Sequence, residues 1–367
     1  MKIKLSKNEL YRKLKTVGKI VQPIKSLQAA ETFKFDFTED ALTISGTDIM
    51  GVIKGKNITC EKEPGACSFL VDAKILLNVL VELPEQPIEL EVTDKKMVVT
   101  YSSGHFEVPL IDADIFPVID TNGENSSFEM SAEKIINGIN QVIGCAANDE
   151  LRPVMNGVFL EIGSGKLSFV STDAHRLAIQ EIEIEEELLT SAIVPTKATK
   201  IILNILSECK KEDSVKITVN QKNITVETDN YELIYRLIDG RYPNYMAVIP
   251  HNKDVLEFNR MDLISALKRI SIFSNPKTSK VVLDISETKM VISASYIDYG
   301  ISASEEFTVH ADFDLKIAFK SHFILELLNS LPSDECRFLF SEPNRGVLIK
   351  PMDSDNVTLL IMPMQID

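Results

Sequence analysis

Three stretches of the chain carry the same alternation of apolar and polar positions at nearly equal intervals. Residues 6–17, 131–142 and 259–270 each open on Ser or Asn and follow with an acidic or amide residue within the next turn. Each then sets apolar side chains at helical spacing: Leu10, Leu14 and Val17; Ile135, Ile139 and Val142; Leu263, Leu267 and Ile270. A capping residue ahead of a 3.6-residue period predicts an amphipathic helix in each. Strand-like alternation follows. Leu42-Thr-Ile-Ser-Gly-Thr-Asp48 matches Leu167-Ser-Phe-Val-Ser-Thr-Asp173, while Met290-Val-Ile-Ser-Ala-Ser-Tyr296 keeps the alternation and loses the Thr-Asp pair. A second helical pattern comes next in each copy, at 72–80, 199–206 and 322–331, and then more alternating strand at 88–101, 215–238 and 337–362.

Helix, strands, helix, strands thus recurs three times with a period of about 125 residues, too long for a solenoid repeat and fitting for successive domains of one fold. Polar, turn-forming stretches at 120–124 and 250–254 set the expected domains at 1–122, 123–250 and 251–367. Hairpin-like turns at Glu39-Asp40 and Gly163-Ser-Gly165 point to antiparallel sheets with helices on one face, an α+β class.

A chain of 367 residues with 44% hydrophobic and 25% charged residues is an ordinary multi-domain globular composition. No apolar run approaches the roughly 18 residues needed to span a bilayer, and the N-terminus lacks a signal-like stretch, so a cytoplasmic location is expected with no membrane partner. Cys60, Cys67, Cys145, Cys209 and Cys336 are scattered without CxxC spacing. They read as small apolar residues rather than a zinc site or a disulfide frame.

The net charge of −15 argues against a uniformly basic nucleic-acid binder, but it permits one whose basic groups share a single surface. The distribution of those groups is informative. Arg12, Lys13, Lys15 and Lys19 lie opposite the apolar stripe of the first helix, and Lys268 and Arg269 lie on the third repeat's helix. The second helix of each copy carries lysine at its start: Lys74; Lys197 and Lys200; Lys320. Singly these are solvated lysines. Recurring in rotationally related repeats, they would face a common axis and hold phosphates without reading sequence.

Catalytic signatures are sparse. Gly163-Ser-Gly-Lys166 lacks the upstream glycine and the Ser or Thr that a phosphate loop needs, and it separates two alternating strands, so a hairpin turn is expected. Asp173 and His175 are close enough in sequence to suggest acid–base work, but no nucleophile context accompanies them. The end of the chain, Leu359-Leu-Ile-Met-Pro-Met-Gln-Ile-Asp367, is apolar almost to its last residue. It reads either as a final core strand or as the lining of a groove in which methionines suit varied ligands.

Thr172-Asp-Ala-His-Arg-Leu-Ala178, Leu237-Ile-Asp-Gly-Arg-Tyr-Pro-Asn-Tyr245 and the terminal Met362-Pro-Met364, with the three-repeat layout, resemble the bacterial sliding clamps, the beta subunits of DNA polymerase III. The resemblance runs essentially the whole length. It implies the DNA clamp fold, with each domain carrying two helices packed on antiparallel sheets, and two copies arranged head to tail as a ring around duplex DNA. It implies no cofactor or metal and no catalytic site. The implied partners are double-stranded DNA bound without sequence preference, the DNA polymerase III catalytic subunit, the clamp loader complex, and other DNA polymerases and repair proteins bearing clamp-binding peptides.

By position, the resemblance puts the peptide groove at Met155, Thr172, Ala174, His175, Arg176, Leu177, Pro243, Val248, Leu360, Met362, Pro363 and Met364, with Ala174 standing where many members have glycine. It puts DNA contacts at Lys25, Lys74, Arg152, Lys197 and Lys200, and the dimer contact at Phe106 and Val108 on one side and Ile272 and Phe273 on the other. Two other readings remain open at the level of residues alone: a three-domain enzyme acting near Asp173 and His175, which needs paired titratable groups in a polar pocket, and a scaffold that does not bind DNA.

Overall fold

The computed structural model describes residues 1–24, 26–39, 41–185 and 188–366. Lys25 and the Asp40 end of the expected Glu39-Asp40 turn fall outside them.

Among the described residues the α-helices are α1 (Lys7–Val17), α2 (Ala73–Glu82), α3 (Ala132–Val142), α4 (Thr196–Leu206), α5 (Arg260–Ser271) and α6 (Ser321–Ser330). They fall on the six helical patterns of the sequence, and side-chain caps explain several starts. Ser6 Oγ accepts from the Glu9 N–H, Asp72 Oδ1 from the Ile75 N–H, and Asn259 Oδ1 from the Met261 and Asp262 N–H groups. Each satisfies backbone donors that a helix start leaves without partners. The apolar stripes are buried as their period requires: Leu10, Leu14 and Val17 are at most 1% exposed. Each such side chain contributes about 1.5–3 kcal/mol of transfer free energy.

Lys13 departs from the expectation of a solvated basic face. It is 1% exposed, with its Nζ 4.5 Å from the Tyr231 ring centroid and donating to the Asn230 carbonyl and side-chain oxygens. Its long stem continues the apolar stripe inward, and only its ammonium needs polar partners.

The chain divides into two compact units, residues 1–135 with 197–237 and residues 136–196 with 238–367. The first unit holds a five-stranded sheet in the order Cys60–Lys62, Lys2–Ser6, Pro87–Val92, Lys96–Tyr101, Gly104–Pro109. It also holds an eight-stranded sheet in the order Ser126–Ser131, Ser214–Val219, Asn223–Glu227, Tyr231–Arg236, Gly51–Gly55, Leu42–Thr47, Thr32–Phe37, Cys67–Asp72. The second unit holds an eight-stranded sheet in the order Thr190–Pro195, Gly157–Gly163, Lys166–Thr172, Arg176–Glu183, Val357–Ile361, Val347–Pro351, Glu335–Phe340, Asp254–Asn259. Its remaining sheet has four strands, in the order Ile301–Thr308, Lys289–Tyr296, Lys280–Ser286, Leu315–Lys320. Every pairing is antiparallel.

Each eight-stranded sheet is therefore assembled from two successive repeats, and the strands of the second repeat are divided between the units. Gly163-Ser-Gly-Lys166 is a two-residue hairpin turn, with Gly163 paired to Lys166 and positive φ at Ser164 and Gly165. That is the turn geometry that matches strand twist. Cys145 and Cys336 are buried, and burial pushes both thiols up to about 12; the other cysteines are half-buried, and all are free.

Candidate functional site

One capped turn is built twice. In the first unit the Thr47 hydroxyl donates to the Gly51 carbonyl at 2.8 Å, and Asp48 Oδ1 accepts from the Met50 and Gly51 N–H groups. In the second unit the Thr172 hydroxyl donates to the Arg176 carbonyl at 2.7 Å, and Asp173 Oδ1 accepts from the His175 and Arg176 N–H groups. The Thr-Asp pair is thus a turn-forming device, because short polar side chains stand in for backbone partners. The residue after each Asp takes a left-handed conformation, φ 77° at Ile49 and 72° at Ala174. That conformation accounts for the glycine which the resemblance expects at position 174.

The second carboxylate oxygen carries the difference between the two copies. Asp48 Oδ2 lies 2.6 Å from Lys197 Nζ and accepts from the Tyr235 hydroxyl at 2.8 Å. Asp173 Oδ2 instead accepts from Arg176 Nε at 3.1 Å. The remaining Arg176 donors go to Glu326 and to the Gly144 carbonyl, and the guanidinium carbon lies 4.4 Å from the Phe323 ring centroid. Burial opposes the Arg176 charge, but the bonded Glu326 and nearby Asp173 carboxylates leave its pKa raised. Asp173 meets His175 through the backbone, and its oxygens serve the turn and Arg176. This is not the arrangement that a carboxylate–imidazole acid–base pair requires.

Beside this turn the second unit carries a cleft of about 540 Å³. Leu177 and Leu360 face each other across the paired strands on one side of it. The segment 243–251 forms the other side, anchored by Tyr242 stacked on Phe159 at 4.6 Å and by the Tyr245 hydroxyl donating to Glu161 at 2.6 Å. Of the residues expected at a groove, Met155, Thr172, Ala174, Arg176, Leu177, Pro243, Val248, Leu360 and Met362 line this cleft. His175, Pro363 and Met364 lie outside its lining. The His175 ring instead stacks near Phe323 at 6.1 Å, and the Met364 N–H donates to the Ala318 carbonyl at 2.7 Å. The lining also includes Ala247, Ile249, Asn344, Arg345 and Gly346, which the sequence reading did not name. Ala247 and Ile249 flank Val248 and were within reach of the motif ending at Tyr245; residues 344–346 form a polar turn with no apolar signal. Val248 and Met362 are 58% and 40% exposed, so the cleft presents apolar surface to solvent.

The other expected site residues are dispersed. Lys74, at the start of α2, and Lys200, in the second turn of α4, are exposed. Arg152 is exposed and pairs with Asp149 at 2.9 Å. Lys197 is held by Asp48. Phe106 is half-buried on the edge strand Gly104–Pro109, whereas Val108, on the same strand, is 1% exposed and turned into the core of its own unit. Ile272 is 74% exposed just past the end of α5, with half-buried Phe273 beside it. Among the described residues no group of three or more His, Cys, Asp or Glu side chains is gathered to hold a metal, and no helix is long and apolar enough to cross a membrane.

Three copies of one α+β unit, joined strand to strand through continuous antiparallel sheets and carrying an apolar surface cleft, define a DNA clamp. Comparison with known proteins names the family. Models of the DNA polymerase III beta subunit match along the chain, the N-terminal domain at residues 1–120, the central domain at 129–244 and the C-terminal domain at 246–365. The beta sliding clamp of Pseudomonas aeruginosa is 25% identical over the full length of both chains, and that of Staphylococcus epidermidis is 25% identical over all of this chain and 99% of its own. Among solved structures, the Pseudomonas aeruginosa clamp bound to griselimycin superposes with a TM-score of 0.95 at 25% identity, and the Thermotoga maritima beta subunit with 0.92 at 26%, each covering both chains fully. The chain belongs to the DNA polymerase III beta subunit family, the bacterial sliding clamps, which are accessory processivity factors and not catalytic subunits.

Proposed function

We propose that this chain is a processivity clamp: two copies close head to tail around duplex DNA in the cytoplasm and tether replication and repair proteins to it. The observation that carries this is the match of its three repeats, in order and along its length, to the three domains of the beta subunit. The domain limits proposed are 1–122, 123–250 and 251–367, supported by the repeat period and by those matched ranges.

The mechanism is topological. A closed ring needs only weak, sequence-independent phosphate contacts, for which we assign Lys25, Lys74, Arg152, Lys197 and Lys200; the net charge of −15 keeps the rest of the surface unattractive to DNA. The cleft around Leu177, Val248, Leu360 and Met362 takes a short peptide of apolar and aromatic character from the polymerase III catalytic subunit, the clamp loader, or other polymerases and repair proteins. His175, Pro363 and Met364 are assigned to the rim of the same groove. Tethering converts each polymerase rebinding into an intramolecular event at high effective concentration. The dimer contact is assigned to the edge strand bearing Phe106 and Val108 and to the corner bearing Ile272 and Phe273. No cofactor is assigned.

Primer extension on a primed circle, with polymerase III catalytic subunit and clamp loader present, tests the reading. Adding the chain lengthens the products, and Val248→Asp shortens them again while the protein still sediments as a dimer. Product length unchanged by the wild-type chain overturns it.

A further inference from the structure

The cleft of the second unit breaks the charge pattern of the chain. The chain carries 54 acidic and 39 basic residues. None of the described residues lining the cleft is Asp or Glu, while Arg176, His251 and Arg345 are among them. The Arg176 guanidinium is already committed, with its donors on Asp173, Glu326 and the Gly144 carbonyl. Arg345 is not. Its ion pair among the described residues is with Glu342, Nε to Oε2 at 3.9 Å, and the two side chains are 68% and 69% exposed. That separation is too long for a hydrogen bond, and among the described residues the Arg345 side chain makes none.

The backbone that presents Arg345 is fixed in place. The Arg345 N–H donates to the Glu342 carbonyl at 3.1 Å and closes the turn. Asn252, next after the wall segment 243–251, ties that turn to the wall. Its side-chain amide donates to the Gly346 carbonyl at 2.9 Å and to the Leu339 carbonyl at 2.7 Å, and its Oδ1 accepts from the Ser341 hydroxyl at 2.8 Å. Gly346, one residue on from Arg345, lies against the apolar floor: a Cβ there would stand 3.3 Å from Leu360 and 3.2 Å from the Met362 sulfur. An uncommitted guanidinium is thus rooted in a held turn, one residue from the apolar floor. A ligand that meets it does not have to order the turn first.

We propose that Arg345 makes the cleft selective for peptides that carry an Asp or Glu beside their apolar anchors. The inference rests on the peptide-binding reading of the cleft and adds the charge of the peptide to it. A guanidinium offers a planar fork that a carboxylate meets with two parallel hydrogen bonds. The Glu342 contact is to Nε, so both Nη atoms are left to make them. The net charge of −15 repels acidic peptides at long range, and a local cation at the cleft offsets that repulsion where the peptide docks. A peptide with Lys or Arg at the same position finds no carboxylate in the lining and meets Arg345 as a like charge. Selectivity thus has an attractive and a repulsive part.

Calorimetry on the full-length protein, at low and at moderate salt, tests this selectivity. The probe is a synthetic clamp-binding peptide of the polymerase III catalytic subunit, made with Asp, Asn or Lys at each position flanking its apolar anchors in turn. An exposed charge pair shifts an equilibrium only a few-fold, so at one flanking position the wild-type chain is expected to bind the Asp peptide about threefold tighter than the Asn peptide. The Lys peptide binds more weakly than either, and the differences shrink as salt rises. In Arg345→Ala the Asp and Asn peptides bind alike, and in Arg345→Glu the order reverses. Lys289→Ala, which removes an exposed lysine of the four-stranded sheet, keeps the wild-type order. An Asp preference that survives Arg345→Ala, or equal binding of all three peptides by the wild-type chain, overturns the selectivity alone. Failure of the wild-type chain to bind any of them overturns it together with the cleft reading on which it rests.

Discussion

Asp48 Oδ2 and Lys197 Nζ lie 2.6 Å apart, with the Asp48 side chain 2% exposed and that of Lys197 35% exposed. The same carboxylate holds the Tyr235 hydroxyl and two turn N–H groups. Asp48→Ala would remove the acceptor of a hydroxyl and two amides and leave the Lys197 ammonium to the Ile20 carbonyl at 3.4 Å. Removing one member of a buried charge network costs about 3–5 kcal/mol. With Lys197 partly solvated, a loss of about 3 kcal/mol in urea unfolding is expected for Asp48→Ala; a loss below about 1 kcal/mol would show that the network carries little.

The same ion pair separates the basic residues assigned to DNA. Lys74 and Lys200 are exposed and lie outside the ion pairs formed by described residues, while Lys197 is partnered. Each phosphate contact adds about 0.9 to the salt slope of binding to duplex DNA. Lys200→Ala and Lys74→Ala should each lower that slope by about one. Lys197→Ala should lower it by less, because its charge is already neutralised. Equal effects from all three, in DNA affinity measured across a salt series, would contradict this ordering.

Val248 and Met362 are exposed, so polar replacements there leave the core untouched. Val248→Ser with Met362→Ser should weaken an apolar, aromatic-bearing peptide at least tenfold by calorimetry, with an unchanged melting temperature. Affinity within twofold of wild type would remove the cleft from consideration as the peptide site.

Burial lowers the Lys13 pKa to about 8, with the Glu208 carboxylate opposing that fall. The unfolded chain therefore binds more protons at this residue between about pH 8 and its ordinary value near 10.5. Stability from this group is gained as pH rises through that window and lost as it falls towards 8. Buried Tyr231 and Tyr235 have raised pKa values and act in the opposite sense at still higher pH, so the window to use is pH 8 to 9.5. The rise in unfolding free energy across it should be smaller in Lys13→Met than in wild type. An identical slope in the two proteins would mean that Lys13 titrates normally.

Periodicity and caps made the helices legible: α1 and α5 begin where Ser6 and Asn259 cap them, and their apolar stripes are buried. The repeats and the cleft motifs were legible because the turn at Thr172-Asp173 and the anchors Tyr242 and Tyr245 are local in sequence. What pairing decides was not. Lys13 looks like a surface lysine until Tyr231 and Asn230 come to lie over it, and Lys197 looks like a phosphate ligand until Asp48 reaches it. Val108 sits in an alternating strand whose inward face no local pattern reveals. The polar turn at 344–346 joins the cleft only because its strand, Val347–Pro351, neighbours Val357–Ile361.

The central claim is that the protein holds DNA by enclosing it. The direct measurement loads the protein onto nicked circular DNA with a clamp loader, then cuts the circle and follows what stays bound. Retention on the circle and release on linearisation is the predicted result; equal retention on circular and linear DNA would contradict it and mean ordinary surface binding.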